Sequence, residues 1–197
     1  TESQANTNQN RHSLGHVKLI KGQYQYLKLN FADSSSHFSN AYTIFNEVAA
    51  KDDMLEALLK LSLVHRYMDD HEAARDYAKQ AAKIFREINC GYLKPLYSYV
   101  VALNECHDDP ESLAPMLEAI EVSKAFGTRE WTWQIQFHLA RLYREAGDIS
   151  NSVKYCRESI NTLKEITESF DDPDQVASYL QVPLRRQVFD FVKSLRS

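Results

Sequence analysis

Pairs of adjacent aspartates are the residues in this sequence whose types and spacing come nearest to a catalytic or metal-binding set. They occur at four places: Asp52-Asp53, Asp69-Asp70, Asp108-Asp109 and Asp171-Asp172. Paired carboxylates can transfer protons as general acid and base, or bind a divalent cation. Each pair also stands where a helix is predicted to begin, and there a carboxylate accepts hydrogen bonds from free backbone amides. Because capping accounts for all four placements, the pattern favours a structural role.

A second cluster, Cys106-His107-Asp108-Asp109, combines a thiol, an imidazole and carboxylates. Adjacent residues at a helix end do not face one another, and a metal site would need a further Cys or His pair at ligand spacing. His65 and His138 are interpreted as hydrogen-bonded packing residues, with pH sensing as the alternative. The sequence contains no glycine-rich phosphate loop, zinc-protease motif or nucleophile elbow. It therefore predicts no catalytic residues, no metal and no cofactor, and favours a protein that is not an enzyme.

The elements that would position these side chains are helices joined by tight turns, and the segment 139–160 shows the pattern best. Leu139, Leu142 and Tyr143 are spaced for one face of a helix. Gly147 can adopt the left-handed conformation that ends a helix, and Asp148 can cap the next one. The segment therefore predicts two helices packed against each other as a hairpin.

The same hairpin recurs upstream with a fixed period. Leu61, Val100 and Leu139 are 39 residues apart (100 − 61 and 139 − 100), and so are Asp70, Asp109 and Asp148. Further columns hold compatible residues: Ala74, Leu113 and Ser152; Tyr77, Met116 and Tyr155; Ala78, Leu117 and Cys156; Ala81, Ile120 and Ser159. This periodicity predicts an all-α solenoid of about four helical hairpins, because a single repeat cannot bury its apolar face alone.

The repeat register also predicts where the segments begin and end. A polar lead-in without periodicity is expected to be disordered, and a final amphipathic segment is expected to cover the last apolar face. The predicted ranges are 1–13 for the lead-in, 14–50, 52–89, 91–126 and 128–170 for the repeats, and 171–197 for the capping helices.

Within the repeats, two boundaries are less regular. The first helix is expected from about Gly15 to Asn30, with a break at 33–36. In the third repeat, Asp109-Pro110 is a helix start, while Pro115 either kinks that helix or marks a later start.

Composition narrows the functional classes. The net charge of −4 argues against a general nucleic-acid binder. No segment approaches the ~20 apolar residues of a membrane helix, and the polar N-terminus lacks a secretory signal. The three cysteines show no disulfide or metal spacing, which is typical of a reducing compartment. We therefore expect a cytoplasmic protein, and the start at Thr1 suggests a segment of a longer chain.

The repeats resemble the tetratricopeptide repeat family. The fourth repeat carries the pattern at Trp133, Leu139-Ala140, Tyr143, Gly147-Asp148, Ser152, Cys156 and Ser159, and the second at Leu61-Ser62, Asp70, Ala74, Ala78 and Ala81. His65 stands where the family prefers Tyr, the helix-ending Pro is absent, and the period exceeds the family's usual length of about 34. Longer repeats of this kind resemble those of bacterial signalling and transcriptional regulators.

The resemblance implies a right-handed superhelix in which the first helix of each hairpin lines a concave groove for a peptide or partner helix. A subgroup of the family clamps a C-terminal carboxylate with Lys and Asn on two first helices. The corresponding positions here are unrelated, for example Leu59 and Leu63, so this clamp is not expected.

Candidate partner contacts are the first-helix residues that remain once the packing columns are removed. Aromatic and Arg side chains on such a face are the types that anchor partners, although large aromatics are more often buried. The candidates are Tyr26, Leu63, Arg66, Tyr67, Glu105, Phe137, Arg141 and Arg144, with Trp131 and Trp133 as further aromatics.

These observations predict a protein- or peptide-binding module that acts as a scaffold or regulatory domain within a larger signalling or transcriptional regulator. It would contact neither nucleic acid nor membrane, and self-association stays open. The alternative is a sensor domain whose small-molecule or peptide ligand changes the curvature of the solenoid. A deep closed pocket would favour the sensor, and an open groove would favour the binding module.

Overall fold

A computed structural model describes the backbone of residues 2–88, 90–108 and 112–195, and this part of the chain is built from helices and turns. The predicted all-α fold of consecutive hairpins with capping helices is confirmed. The helices are α1 (Glu2–Leu27), α2 (Phe31–Glu47), α3 (Lys51–Tyr67), α4 (His71–Ile88), α5 (Lys94–Asp108), α6 (Ala114–Ala125), α7 (Arg129–Glu145), α8 (Ile149–Thr167), α9 (Pro173–Leu180) and α10 (Pro183–Ser194).

The helices group into two compact units. The first unit, Thr1–Leu93, contains the hairpins α1–α2 and α3–α4 and a short 3₁₀ turn at Gly91–Leu93. The second unit, Lys94–Ser197, contains the hairpins α5–α6 and α7–α8, followed by α9 and α10. Among the described residues, no helix is both long enough and apolar enough to span a bilayer.

Five of the turns share one geometry, in which a residue with positive φ ends the helix. The residue after it donates its amide to a carbonyl five positions back, as in Ala50 N to Phe45 O at 2.9 Å and Asp148 N to Tyr143 O at 2.9 Å. This is the Schellman arrangement, which satisfies carbonyls left free at a helix end. The positive-φ residues are Leu29, Ala49, Asp69, Gly127 and Gly147, so only two are the glycines that the conformation favours.

A buried hydroxyl–carbonyl hydrogen bond joins the two helices in three of the hairpins. Ser34 Oγ donates to Gly22 O at 2.8 Å. Ser62 Oγ donates to Ala74 O at 2.7 Å, and Ser152 Oγ donates to Ala140 O at 2.8 Å. The serine lies on the second helix in the first and fourth hairpins but on the first helix in the second hairpin. The small partner residue lets the two helices approach closely in each case.

The first hairpin differs from the sequence prediction at both boundaries. Helix α1 begins at Glu2, whereas the sequence predicts disorder over 1–13 and a start near Gly15. The early turns of α1 contact the rest of the unit through an Arg11–Glu47 ion pair and a hydrogen bond between His12 and Asp53.

The predicted break at 33–36 is also wrong, because this segment lies inside α2 and the turn falls at 28–30. The Ser34 hydroxyl forms the buried hydrogen bond to Gly22 O and does not cap a helix. The serine-rich segment therefore serves inter-helix packing, a role that capping preferences do not reveal.

The described aspartates of the four pairs lie at helix ends, and two of them cap a helix. Asp70 accepts the amide of Ala73 at 3.2 Å, and Asp172, the N-cap of α9, accepts that of Asp174 at 2.9 Å. Asp52 and Asp53 lie in the first turn of α3. Asp108 is the last residue of α5, and Asp109 and Pro110 lie outside the described residues. Helix α6 begins at Ala114 with Pro115 in its first turn, which is the later start.

Candidate binding surface on the first helices

In the first unit, side chains of the first helices α1 and α3 meet along a seam. Near the end of α3, three aromatic rings form a cluster. Tyr67 stacks on Phe31 at 5.0 Å between ring centroids and meets the edge of Tyr26 at 5.6 Å. Tyr26 is 1% exposed and Leu63 is 2% exposed. Their expected exposure is therefore corrected: both are core residues, and the rings of Phe31 and Tyr67 cover Tyr26.

A buried lysine lies further along the same seam. Lys60 Nζ donates to Gln23 Oε1 at 2.6 Å, and Glu56 Oε1 is 3.5 Å away. Burial lowers the pKa of Lys60, which the neighbouring Glu56 carboxylate partly opposes. Residues of both helices contact the Lys60 amino group, so the seam contains a buried polar side chain among its apolar ones.

Arg66 and Tyr67 are half-buried at the end of α3 and are the predicted contacts of this unit that keep exposed surface. Arg66 Nη1 lies 2.6 Å from Nδ1 of His71, the first residue of α4. The Tyr67 ring stacks on Phe31. This end of α3 therefore carries a guanidinium and an aromatic ring at consecutive positions, and both are residue types that recur at anchoring positions of interfaces.

In the second unit, the first helices α5 and α7 are joined by a tyrosine–histidine contact. Tyr99 Oη lies 3.0 Å from His138 Nδ1, and the Tyr99 ring packs near Trp131 at 6.4 Å. Trp133 is fully buried, and its indole N–H donates to Glu130 at 2.9 Å. His138 is thus a hydrogen-bonded packing residue, as expected, and Trp133 is core rather than a contact, while Trp131 is half-buried.

The capping helix α10 covers part of the predicted surface of α7. Phe137 is 6% exposed because the Phe191 ring of α10 meets it edge-on at 5.5 Å. The guanidinium of Arg144 lies 5.6 Å from the centre of the Phe191 ring and 3.4 Å from the carbonyl oxygen of Ser194. The expected exposure of Phe137 is corrected accordingly, and Arg144 contacts α10. Arg141 is half-buried and Glu105 is exposed.

Arg185 of α10 links this helix to both α7 and α9. This guanidinium is 3.6 Å from the centre of the Tyr179 ring and 3.0 Å from Glu130 Oε1, and the Tyr179 hydroxyl also donates to Glu130. Burial and the hydrogen bond with Glu130 raise the pKa of Tyr179. Leu184 and Val188 lie on the buried face of α10 itself. The C-terminal segment is therefore an integral part of the second unit.

Open grooves between consecutive second helices are a feature that the sequence did not predict. In the second unit, a groove of about 470 Å³ is lined by the cations Lys124 and Arg129 and by Glu158 and Glu165. In the first unit, a groove of about 380 Å³ is lined by Tyr42, Met54, Leu58, Lys83 and Ile84. The groove in the second unit is mostly polar, and the groove in the first unit is mostly apolar. Both face solvent on one side.

The sequence interpretation also missed a convergence of His12, His16 and Asp53 at the start of the α1–α3 seam. The available signal was the spacing of the two histidines, four residues apart on one helix. It was missed because His12 fell in the segment expected to be disordered and Asp53 was assigned to capping.

Two parts of the chain match family models. Residues 54–89, which cover the second hairpin, and residues 134–162, which cover most of the fourth, each match a model described as tetratricopeptide repeat. No curated protein matches the chain.

The fold is similar to solved structures of larger proteins. One is a Rap protein complexed with competence and sporulation factor, with 16% identity and a TM-score of 0.66, over 92% of this chain and 51% of that one. Another is the Rap conjugation gene regulator of the plasmid pLS20 in complex with the Phr* peptide, with 15% identity and a TM-score of 0.59, over 89% and 54% of the two chains. The chain thus spans about half the length of these proteins.

Proposed function

The chain contains tetratricopeptide repeats, and from this premise we propose that it binds a peptide, or an extended segment of a protein, and acts as a regulatory or scaffold module. The observation that carries the proposal is the fold likeness to two proteins whose structures were determined with bound peptide factors. Because the chain covers about half of each of those proteins, its place in a larger signalling or transcriptional regulator of the cytoplasm belongs to the proposal as well.

The residues proposed to contact the partner lie on the first helices of each unit. In the first unit, the half-buried residues Arg66 and Tyr67 offer a guanidinium and an aromatic ring. In the second unit, Arg141 on α7 and Glu105 on α5 offer groups of opposite charge. A peptide with acidic side chains next to an apolar residue would fit the first pair, because the guanidinium can bind a carboxylate while the ring packs on the apolar side chain.

Arg144 and Phe137 are assigned a different role from the other predicted contacts. Both touch α10, so they hold the capping helix in place and are not proposed to touch the partner directly. This assignment changes which variants are informative in a binding experiment, since a change at either residue would disturb α10 as well.

Peptide selection with the full chain tests the proposal. A display library of short random peptides is screened against the immobilised chain, and the affinity of an enriched peptide is measured by fluorescence anisotropy. Replacing Arg66 or Arg141 by Ala is expected to weaken binding of a peptide seated on that unit by about tenfold or more, the usual size of an anchor's loss. Lys79→Ala is the matched control, because Lys79 is an exposed cation on the second helix α4.

Two results would overturn the proposal. One is a screen that enriches no peptide above the level obtained with an unrelated helical protein. The other is an enriched peptide whose affinity is unchanged by substitutions at Arg66, Tyr67, Glu105 and Arg141, which would place its site elsewhere. Circular dichroism of each variant separates lost binding from lost folding.

A small-molecule sensor is the less favoured function. That role calls for a deep enclosed pocket, whereas the two grooves between second helices described above are open to solvent. No particular observation points to a small ligand.

A further inference from the structure

Three potential metal ligands converge at the start of the α1–α3 seam. His12 Nε2 is 2.7 Å from Asp53 Oδ2, and His16 Nε2 is 3.5 Å from Asp53 Oδ1. One donor atom from each of the three side chains lies within 4.8 Å of the others. For metal–ligand bonds of about 2.0–2.1 Å, two donors at a tetrahedral angle are about 3.3 Å apart, so small movements would bring all three into the first coordination sphere.

The fold places these side chains independently of any ion. His12 and His16 are one helical turn apart, so both imidazoles lie on the same face of α1. Asp53 reaches them from the first turn of α3. The buried Phe45 ring forms the floor, with centroids 5.7 Å from His12 and 5.2 Å from His16. Gly15 allows this close approach, because a Cβ there would lie 2.5 Å from Phe45 Cε1.

Both imidazoles approach the same carboxylate, one at each oxygen. A hydrogen bond between His12 and Asp53 satisfies one imidazole and one carboxylate oxygen. The second imidazole turns its Nε2 toward the other oxygen of this carboxylate, although the His16 side chain is 42% exposed and has room to point into solvent. Two imidazoles and one carboxylate around a common point are a frequent donor set for transition-metal ions.

We propose that His12, His16 and Asp53 bind a divalent transition-metal ion of the Zn²⁺ class. Two neutral imidazoles favour borderline ions such as Zn²⁺, Co²⁺ and Ni²⁺ over Mg²⁺ and Ca²⁺, which prefer oxygen. The two histidines are about two-fifths exposed, so the remaining coordination position faces solvent and takes water. The ion would link α1 to α3 and thereby tie the first hairpin to the second.

Calorimetric titration of the full chain with Zn²⁺ tests the site. The expected result is saturable binding of one ion, together with a rise in melting temperature that EDTA reverses, because an ion that binds the folded chain stabilises it. His16→Ala and Asp53→Asn should each weaken binding by about tenfold or more. Asp52→Asn and His71→Ala are matched controls, since they remove the same chemical groups outside the proposed ligand set and should leave the affinity unchanged.

Substitution of Co²⁺ identifies the donors. A tetrahedral nitrogen and oxygen site gives visible absorption without the charge-transfer band of a thiolate, which separates it from binding at the buried Cys90, Cys106 or Cys156. The proposal is wrong if no ion binds, if a thiolate band appears, or if Asp53→Asn binds Zn²⁺ as tightly as Asp52→Asn. Circular dichroism of His16→Ala and Asp53→Asn confirms that lost affinity is not lost folding.

Discussion

At the scale of single residues, three of the helix-ending turns place a residue other than glycine at a positive φ, which strains the backbone. Leu29, Ala49 and Asp69 adopt φ values of 65°, 56° and 58°, which cost a side chain with a Cβ about 1–2 kcal/mol each. Gly127 and Gly147 occupy the same position in the second unit without this cost. The Schellman hydrogen bonds that form in all five turns offset part of the strain.

This comparison predicts opposite effects for two small substitutions. Ala49→Gly should raise the free energy of unfolding by up to about 1 kcal/mol, because relief of the positive φ exceeds the added entropy of the unfolded chain. Gly147→Ala should lower it by about 1 kcal/mol, although nothing lies within 4 Å of the new Cβ. Urea unfolding measures both. Equal shifts in the same direction would mean that the turn conformation does not control stability here.

Aspartates beside these turns were the residues whose role the sequence predicted best. Asp148 accepts the Asn151 amide at 3.0 Å, and that hydrogen bond is the first cause that lowers its pKa. Asp70 in the second hairpin has a lowered pKa chiefly because of the His65 imidazole. Capping depends on neighbours within one helical turn, so residue spacing is sufficient to predict it. The convergence of His12 and Asp53 depends on how α1 and α3 pack, so residue spacing along one helix cannot predict it.

At the scale of helices, periodicity predicted the hairpins but not which of their faces are covered. The 39-residue columns correctly place Leu61, Val100 and Leu139 in the core. The expected exposure of Tyr26 and Phe137 was wrong. Their positions face neighbouring first helices or α10, and the pattern within one hairpin carries no information about what packs beside it.

The attachment of the capping helices to α7 leads to a prediction at this scale. Arg185→Ala should lower the free energy of unfolding by about 2 kcal/mol, because it removes the charged hydrogen bond to Glu130 and the stacking on Tyr179. Arg185→Lys should recover little, since an ammonium cannot stack as a planar group while reaching the carboxylate. Arg186→Ala is the control, with its exposed pair to Asp190. Urea denaturation compares the three, and full stability of the Lys variant would refute the stacking argument.

At the scale of the whole chain, the division into two units implies that a destabilising substitution mainly affects its own unit. In repeat arrays each hairpin contacts mainly its neighbours, so stability is close to a sum of local terms. The core positions Leu58 in the first unit and Leu139 in the second are both fully buried. They form a matched pair with the same side chain in different units.

We expect Leu139→Ala to cost about 2–5 kcal/mol through lost burial and a residual cavity. Hydrogen exchange followed by mass spectrometry should show faster exchange across 94–197 with a smaller change across 1–93. Leu58→Ala should show the reverse distribution. Uniform acceleration over the whole chain in both variants would mean that the two units unfold as a single cooperative body.

The serine that joins the helices of a hairpin is present in three hairpins, yet it changes sides between them. Ser62 bonds to Ala74 in one hairpin, and Ser152 bonds to Ala140 in another, at equivalent pairs of positions. These hairpins therefore share a pairing rather than a residue at one position. Related chains should show these two positions varying together, with a hydroxyl on one side and a small residue on the other. A motif search that scores each position separately treats this covariation as divergence. A search that scores the two positions together would find such hairpins even where neither position alone matches the repeat motif.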